Sequence, residues 1–119
     1  MTDEAAVRAV LEEYVAACMA GSVERLQAIF HPEALMTGYL AGNYLMGSVE
    51  PFYDAVRNSA APGADYHAEI GPVEVAGAVA SAGVRERGYL GLDFTDFFHL
   101  ARVHDRWLIV SKTFNSSVR

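Results

Sequence analysis

A carboxylate set among aromatic side chains is the feature of this sequence best suited to chemistry. Asp96 lies in the run FTDFF, residues 94–98. A buried carboxylate needs a hydrogen-bonding or charged partner, and without one its pKa rises. Asp96 is therefore a candidate acid or base inside a pocket. The alternative is a structural ion pair with Lys112 or Arg102.

Lys112 is the second candidate, because it stands in an otherwise apolar strand segment. Its ammonium group must reach solvent, a cavity or an acidic partner, since an isolated charge is costly to bury. One interpretation places it in a pocket, where it would bind the polar end of a ligand. The other is a surface lysine whose aliphatic stem covers apolar neighbours.

Tyr14 and His31 complete the set of residues that could act on a ligand. Tyr14 lies on an apolar helical face, so its hydroxyl is either a donor to a ligand or part of an amphipathic core tyrosine. His31 precedes Pro32 at the predicted end of a helix, where a histidine interacts favourably with the negative end of the helix dipole. A role at the rim of a pocket or in catalysis is its alternative.

Other common chemistries have no pattern to support them. The histidines do not have the spacing of metal ligands, and the glycines do not form a phosphate-binding motif. No serine lies in a nucleophile elbow. Cys18 lies on the buried face of a helix and is expected to be an inert core thiol. The sequence therefore predicts neither a metal nor a cofactor.

Periodicity and capping signals predict two helices at the start of the chain. Thr2 is a suitable N-cap for the first helix, and Gly21 ends it. Ser22 caps the second helix, whose apolar positions recur at helical spacing. The dipeptide His31-Pro32 ends this helix, because proline disfavours helical geometry in the residue before it.

The rest of the chain predicts one more helix and a sheet. Residues 34–46 indicate a short hairpin, and a third helix follows from Gly47-Ser48 to about Arg57. Four segments rich in β-branched and aromatic residues then alternate with turn signals, at 64–75, 77–88, 93–104 and 106–115. Tandem strands with short connections pair antiparallel, because parallel strands need long crossovers. The prediction is an α+β fold in one domain, residues 1–119.

Composition excludes several classes of protein. A chain of 119 residues suits one domain, and its hydrophobic fraction of 52% is too high for a disordered chain. Its net charge of −6 argues against binding nucleic acid or an anionic membrane surface. It has no apolar run that could span a bilayer. Its first residues are acidic, unlike those of a signal peptide, and it has a single cysteine. We therefore expect a cytoplasmic protein without nucleic-acid or membrane partners.

The order of these elements resembles the NTF2-like superfamily, in which a curved sheet wraps around helices. The stretches that carry the resemblance are YVAA at 14–17, GSVERL at 21–26, FHPEA at 30–34, FY at 52–53, FTDFF at 94–98 and DRWLIVSK at 105–112. The ending is similar to the group labelled "putative lumazine-binding" proteins. The resemblance implies a cystatin-like cone of the SnoaL and ketosteroid isomerase-like type. Three N-terminal helices would pack into a strongly curved, mixed but mostly antiparallel sheet.

Resemblance to the ketosteroid isomerase branch implies roles for three residues. In that enzyme a tyrosine and a protonated aspartic acid form the oxyanion hole, and Tyr14 and Asp96 fall on those two positions. Tyr53 falls on a second tyrosine that supports the first. The general base of that branch is an aspartate, whereas the corresponding position here is about Gly38, and residues 34–48 contain no carboxylate. We therefore do not expect ketosteroid isomerase activity.

Three functions stay open. The leading one is a pocket that binds a small, partly aromatic or hydrophobic metabolite. The residues predicted to contact this ligand are Tyr14, Tyr53, Asp96 and Lys112 at its polar end, and Met36, Phe52 and Phe98 along its body. The second is an isomerase or dehydratase-type lyase with Asp96 or His31 as acid or base and Tyr14 as electrophile. The third is a dimerisation or scaffold module whose cone is filled by bulky side chains.

The face of the sheet that the helices leave uncovered predicts a homodimer. Alignment with the ketosteroid isomerase branch implies that Val110, Lys112 and Phe114 point inward on the last strand and that Trp107 and Ile109 point outward. An exposed apolar patch of this kind usually marks an interface, and members of the superfamily commonly pair sheet to sheet. We therefore expect a twofold homodimer through Trp107 and Ile109.

Overall fold

The computed structural model describes all of residues 1–119 and contains three helices and six strands. In chain order they are α1 (Asp3–Ala20), α2 (Val23–Ile29), β1 (Phe30–Leu40), β2 (Asn43–Ser48), α3 (Glu50–Asn58), β3 (His67–Ala76), β4 (Val79–Tyr89), β5 (Leu92–Val103) and β6 (Arg106–Val118). The strands form one sheet in the order β2-β1-β6-β5-β4-β3. Every neighbouring pair is antiparallel except β1 and β6, which are parallel. The predicted α+β class with a mixed, mostly antiparallel sheet is confirmed.

The two N-terminal helices begin at their predicted caps. The Thr2 hydroxyl accepts a hydrogen bond from the backbone N–H three residues later at 3.1 Å, and Gly21 ends α1 with a φ of 64°. The Ser22 hydroxyl accepts the equivalent bond at the start of α2, at 3.2 Å. These bonds satisfy backbone donors that have no partner within the helix. None of the helices has the length and apolar character to cross a membrane.

Two details of the helices differ from the prediction. α2 ends at Ile29, so His31 lies in β1 and not at the end of a helix. Pro32 accounts for the extended geometry of His31, because a proline disfavours helical geometry in the residue before it. The third helix is not grouped with the first two, since the β1–β2 hairpin comes before it. The chain turns at Ala41-Gly42, both with positive φ, and pairs back along β1 before α3 begins.

The two faces of the sheet differ, and β5 shows the difference most clearly. Phe94, Asp96 and Phe98 are buried on the face that α1 covers, which we call the inner face. Phe97, by contrast, is 57% exposed on the opposite, outer face. Because successive residues of a strand point to opposite faces, this alternation places the Asp96 carboxylate inside the protein.

A β-bulge in β6 changes which of its residues are buried. His99 pairs with Ser111 and the next residue of β5 pairs with Ile109, so Val110 has no partner of its own. Trp107 and Ile109 before the bulge, and Lys112 and Phe114 after it, are therefore all buried on the inner face. The prediction of inward positions was correct for Lys112 and Phe114. It was wrong for Val110, which is half-buried at the bulge.

The predicted exposure of Trp107 and Ile109 was also wrong. Ile109 is fully buried, and the indole N–H of Trp107 donates a hydrogen bond to the Asp3 carboxylate at 3.2 Å. The Trp107 hydrogen bond thus links the start of α1 to the inner face of the sheet. Neither Trp107 nor Ile109 is exposed enough to contact a partner.

Candidate functional site

A cavity of about 80 Å³ opens between the β1–β2 hairpin, α3 and the turn that joins β4 to β5. Nine of its twelve lining residues are hydrophobic, and the two charged ones are Glu86 and Lys112. Small-molecule sites have this character, with apolar walls and a few placed polar groups. The volume suits a ligand smaller than a typical drug, since the pockets that hold drug-sized ligands have volumes of about 300 Å³ or more.

Lys112 lies in this cavity and is 4% exposed. Its Nζ atom is 3.8 Å from the centroid of the Phe52 ring and 5.0 Å from that of Phe114. It belongs to none of the four ion pairs of the protein, so no carboxylate oxygen lies within 4.0 Å of it. The aromatic faces supply a cation–π contact in place of an ion pair.

Glu86 is the second charged residue of the cavity and is 2% exposed. The hydroxyl of Tyr66 donates a hydrogen bond to Glu86 Oε2 at 2.6 Å. Burial raises the pKa of Tyr66, and the neighbouring Glu86 charge raises it further. The tyrosine therefore keeps its proton and supplies one of the hydrogen bonds that a buried carboxylate requires.

Asp96 and Tyr14 lie behind the wall of the cavity and are fully buried. The Tyr14 hydroxyl has no hydrogen-bond partner within the protein, and no other residue donates a hydrogen bond to the Asp96 carboxyl group. Burial raises the pKa of Asp96 well above its usual range, the Lys112 charge opposes this, and a hydrogen bond to Glu86 together with the Glu86 charge raises it further. Burial also raises the pKa of Tyr14, so its hydroxyl remains a donor.

The strand register explains how these residues meet. Glu86 on β4 pairs with Phe94 on β5, and Lys112 on β6 pairs with Phe98 on β5. Asp96 lies between those two partners on β5, so it is the diagonal neighbour of both charged residues on the inner face. Diagonal neighbours on one face lie about 7–8 Å apart, within electrostatic reach. Three adjacent strands thus supply two carboxyl groups and one amine.

The structure distributes the residues predicted to form the site among three places. Met36, Phe52 and Lys112 line the cavity. Tyr14, Phe98 and Asp96 lie in the core beneath it; Tyr14 and Phe98 pack edge to face with their ring centroids 4.9 Å apart.

His31 and Tyr53 lie apart from the cavity. They line a separate surface depression beside α3. His31 Nδ1 accepts a hydrogen bond from the Glu33 backbone N–H at 3.0 Å, so its partner is local. Burial raises the pKa of Tyr53 to about 12. The structure does not bring His31 together with Asp96.

Three residues near the cavity were missed in the sequence: Glu86, Tyr66 and Tyr89. Glu86 stands between Arg85 and Arg87, and such a charged run usually indicates a solvated face. Strand alternation was the available signal, because it places Glu86 on the same face as Val84.

Burial raises the pKa of the nearby Cys18 thiol, consistent with the inert core thiol that the sequence predicted.

Gly38, the position at which the resemblance put a general base, has no room for a side chain. A Cβ atom there would overlap the carbonyl oxygen of Phe114 and lie 2.5 Å from Cδ1 of its ring. The two residues are partners in the parallel β1–β6 pair. The backbones approach so closely that a carboxylate cannot extend from this position.

Comparison with known proteins finds matches over nearly the whole chain. The family described as "Putative lumazine-binding" matches residues 2–115. "Aldolase FrzH" of Cladobotryum sp is 30% identical over 107 residues, which are 89% of this chain and 85% of that protein.

Solved structures of two NTF2-like proteins of unknown function are similar throughout. The protein from Silicibacter pomeroyi is 30% identical with a TM-score of 0.87, over 98% of this chain and 100% of the other. The one from Shewanella baltica is 25% identical with a TM-score of 0.87, over 96% and 93% of the two chains.

Proposed function

Because the chain belongs to the "Putative lumazine-binding" family of the NTF2-like superfamily, we propose that it binds a small, partly aromatic or hydrophobic metabolite in the cavity of Glu86 and Lys112. One observation carries the proposal. A buried lysine and a buried glutamate lie in an apolar cavity without forming an ion pair with each other. Unpaired buried charges lower stability, and a ligand with polar atoms between them would offset that cost.

The lining of the cavity indicates the form of the ligand. Phe52, Phe94 and Met36 offer apolar surface for a ring or short hydrocarbon body. Lys112 would donate hydrogen bonds to an acceptor such as a carbonyl, and the Glu86 carboxylate would accept from a hydroxyl or N–H. The existence of this cavity favours ligand binding over a scaffold with a filled cone.

A thermal-shift screen tests the proposal, beginning with the smaller candidates, pteridines and short carboxylates, and including flavins, steroids and polyketide-like aromatics as compounds that a cavity of about 80 Å³ should not bind. A ligand at a hundredfold excess over its Kd should stabilise the protein by about 2.7 kcal/mol, which is roughly 10 °C in Tm for a domain of this size. Ala55→Phe should abolish the shift, because Ala55 lines the cavity and the added ring fills it.

Asn58→Phe is the matched control, since it adds the same ring at the exposed end of the same helix. Ligand shifts should survive in this variant. A shift that Ala55→Phe leaves intact would show that the ligand binds elsewhere and would reject the cavity.

A lyase is the second candidate function, and the relative named as an aldolase favours it. Aldol chemistry needs a base for a proton next to a carbonyl group and a donor that stabilises the developing oxyanion. The Glu86 carboxylate suits the first task and the Lys112 ammonium group suits the second. Mass spectrometry of ligands incubated with the protein would detect carbon–carbon cleavage or loss of water.

We also propose that the protein is a homodimer, formed through the outer face of the sheet. Phe97 and Val79 are large apolar side chains more than half exposed on this face, whereas Trp107 and Ile109 are buried. Phe97→Glu should therefore reduce the mass measured by light scattering from that of two chains to 12.9 kDa. Met19→Glu, on the exposed side of α1, should leave the dimer intact. A Phe97→Glu protein that still dimerises would exclude this face.

A further inference from the structure

Lys112 is the only lysine in the chain, and the other eight basic residues are arginines. The two side chains are not equivalent in chemistry. A guanidinium group stays protonated in proteins and cannot act as a nucleophile, whereas a lysine amine can lose its proton and attack a carbonyl carbon. The one nucleophilic amine among the side chains therefore lies inside the cavity.

The surroundings of Nζ suit such an attack. The amine lies against the Phe52 and Phe114 rings and has no carboxylate within 4.0 Å. An amine held in a tight ion pair is kept as its ammonium form, and a salt-bridged lysine would be a poor nucleophile. A small ligand bound in this cavity would be held against Nζ, and holding two reacting groups together accelerates their reaction.

We propose that Lys112 captures the carbonyl group of the ligand as a Schiff base, so that the ligands of this cavity are aldehydes and ketones with a small apolar body. The inference rests on the proposed function, because it requires that the cavity binds a ligand at all. It adds a covalent bond and a chemical class to that function.

The step needs no oxidant or reductant. The ammonium group of Lys112 first gives a proton, through a bridging water molecule, to the Glu86 carboxylate of the same cavity, because no carboxylate oxygen lies within 4.0 Å of Nζ. The neutral nitrogen attacks the carbonyl carbon, a C–N bond forms, the π electrons of the C=O bond move to oxygen, and one proton moves from the nitrogen to that oxygen to give a carbinolamine. Glu86 returns its proton as the C–O bond breaks and water leaves. The nitrogen has then exchanged two protons for a double bond to carbon and carries the positive charge of an iminium ion.

An iminium ion withdraws electrons from the bonds next to it. It can therefore accept the electron pair of a breaking carbon–carbon bond or of a C–H bond beside the former carbonyl carbon. Both are the bonds at which an aldol reaction proceeds. The proposed Schiff base therefore suits both simple capture of a carbonyl ligand and the lyase candidate, in which the iminium ion would replace the Lys112 ammonium group as the group that stabilises the developing negative charge.

Reductive trapping tests the inference with benzaldehyde as the probe. The protein is incubated with benzaldehyde and sodium cyanoborohydride at neutral pH, and the benzyl label is mapped by peptide mass spectrometry. Only Lys112 and the α-amine of the chain can carry it. In the folded protein the label at Lys112 should exceed that at the α-amine by tenfold or more. In urea the order should reverse, because an α-amine is far less protonated than a lysine amine in an unfolded chain.

Two comparisons separate this inference from the proposed function. Lys112→Met has a side chain of similar length without an amine, and it should carry label at the α-amine alone. Benzyl alcohol cannot form a Schiff base, and its effect on Tm reports binding by itself.

If benzyl alcohol raises Tm while the folded protein is labelled first at the α-amine, the Schiff base is rejected and the cavity stands. If benzyl alcohol has no effect and Lys112 is not labelled, both proposals fail for this class of ligand. The ratio in folded and unfolded parent protein decides the matter even if Lys112→Met does not fold.

Discussion

Gly38→Ala should lower the free energy of unfolding by about 3 kcal/mol, the upper end of the usual cost of overpacking a core. The added methyl group would overlap the Phe114 carbonyl oxygen and press on its ring. The obstacle is backbone of the neighbouring strand, which cannot move without parting β1 from β6. Urea unfolding measures the loss directly, and Tm should fall by roughly 10 °C.

Gly63→Ala is the control for this substitution. Gly63 has open space around its Cβ position, so the same added methyl group should change stability by less than about 0.5 kcal/mol. If Gly38→Ala costs less than about 1 kcal/mol, the two parallel strands adjust to the methyl group more readily than close packing allows. Because Phe114 also lines the cavity, ligand shifts should weaken in Gly38→Ala even at temperatures where the variant is folded.

Asp96→Asn should make the protein more stable at pH 8 and remove part of its pH dependence. Burial holds the pKa of Asp96 in the folded state above its value of 3.8 in an unfolded chain. The folded state therefore binds this proton more tightly, and the stability it contributes is complete below pH 3.8. As pH rises from there through the folded-state pKa, that contribution is lost, at up to about 1.4 kcal/mol per pH unit.

Asparagine does not titrate, so the variant lacks this loss. Urea unfolding between pH 4 and pH 9 should show the two stability curves converging at low pH and separating in favour of the variant at high pH. Asp65→Asn is the control at an exposed aspartate and should reproduce the parent curve. If Asp96→Asn is instead less stable at every pH, the Asp96 carboxylate is ionised in the folded state and the Lys112 charge outweighs burial.

The sequence predicted the elements of the fold well, because each of them leaves a local signal. Caps at Thr2 and Ser22 mark helix starts, and turn residues separate strands that lie within a few residues of their predicted bounds. The order of the elements, with motifs in the matching order, was enough to identify the superfamily. All of this depends on residues close together in the chain.

The site was harder to predict, because it depends on contacts between strands. Residues 107–110 are apolar at every position, so alternation could not reveal the bulge that turns Trp107 and Ile109 inward. Asp96 could be placed on either face until the register was known. Glu86 lies between two arginines in the sequence, which suggests an exposed position. Its place in the same cavity as Lys112 depends on three strands, because both residues are diagonal neighbours of Asp96. No local pattern encodes such a relation.

The position of β6 in the sheet has a consequence for the newly made chain. This strand lies between β1 and β5, and its residues 111–115 pair with residues 35–39 of β1. Until it has been synthesised, a nascent chain holds a hairpin and a meander with no strand to join them. The walls of the cavity come from both halves, so the ligand site is created in one late step that closes a long loop. Long-range pairing of this kind slows folding. Without β6, the chain would have neither a complete sheet nor a complete ligand site.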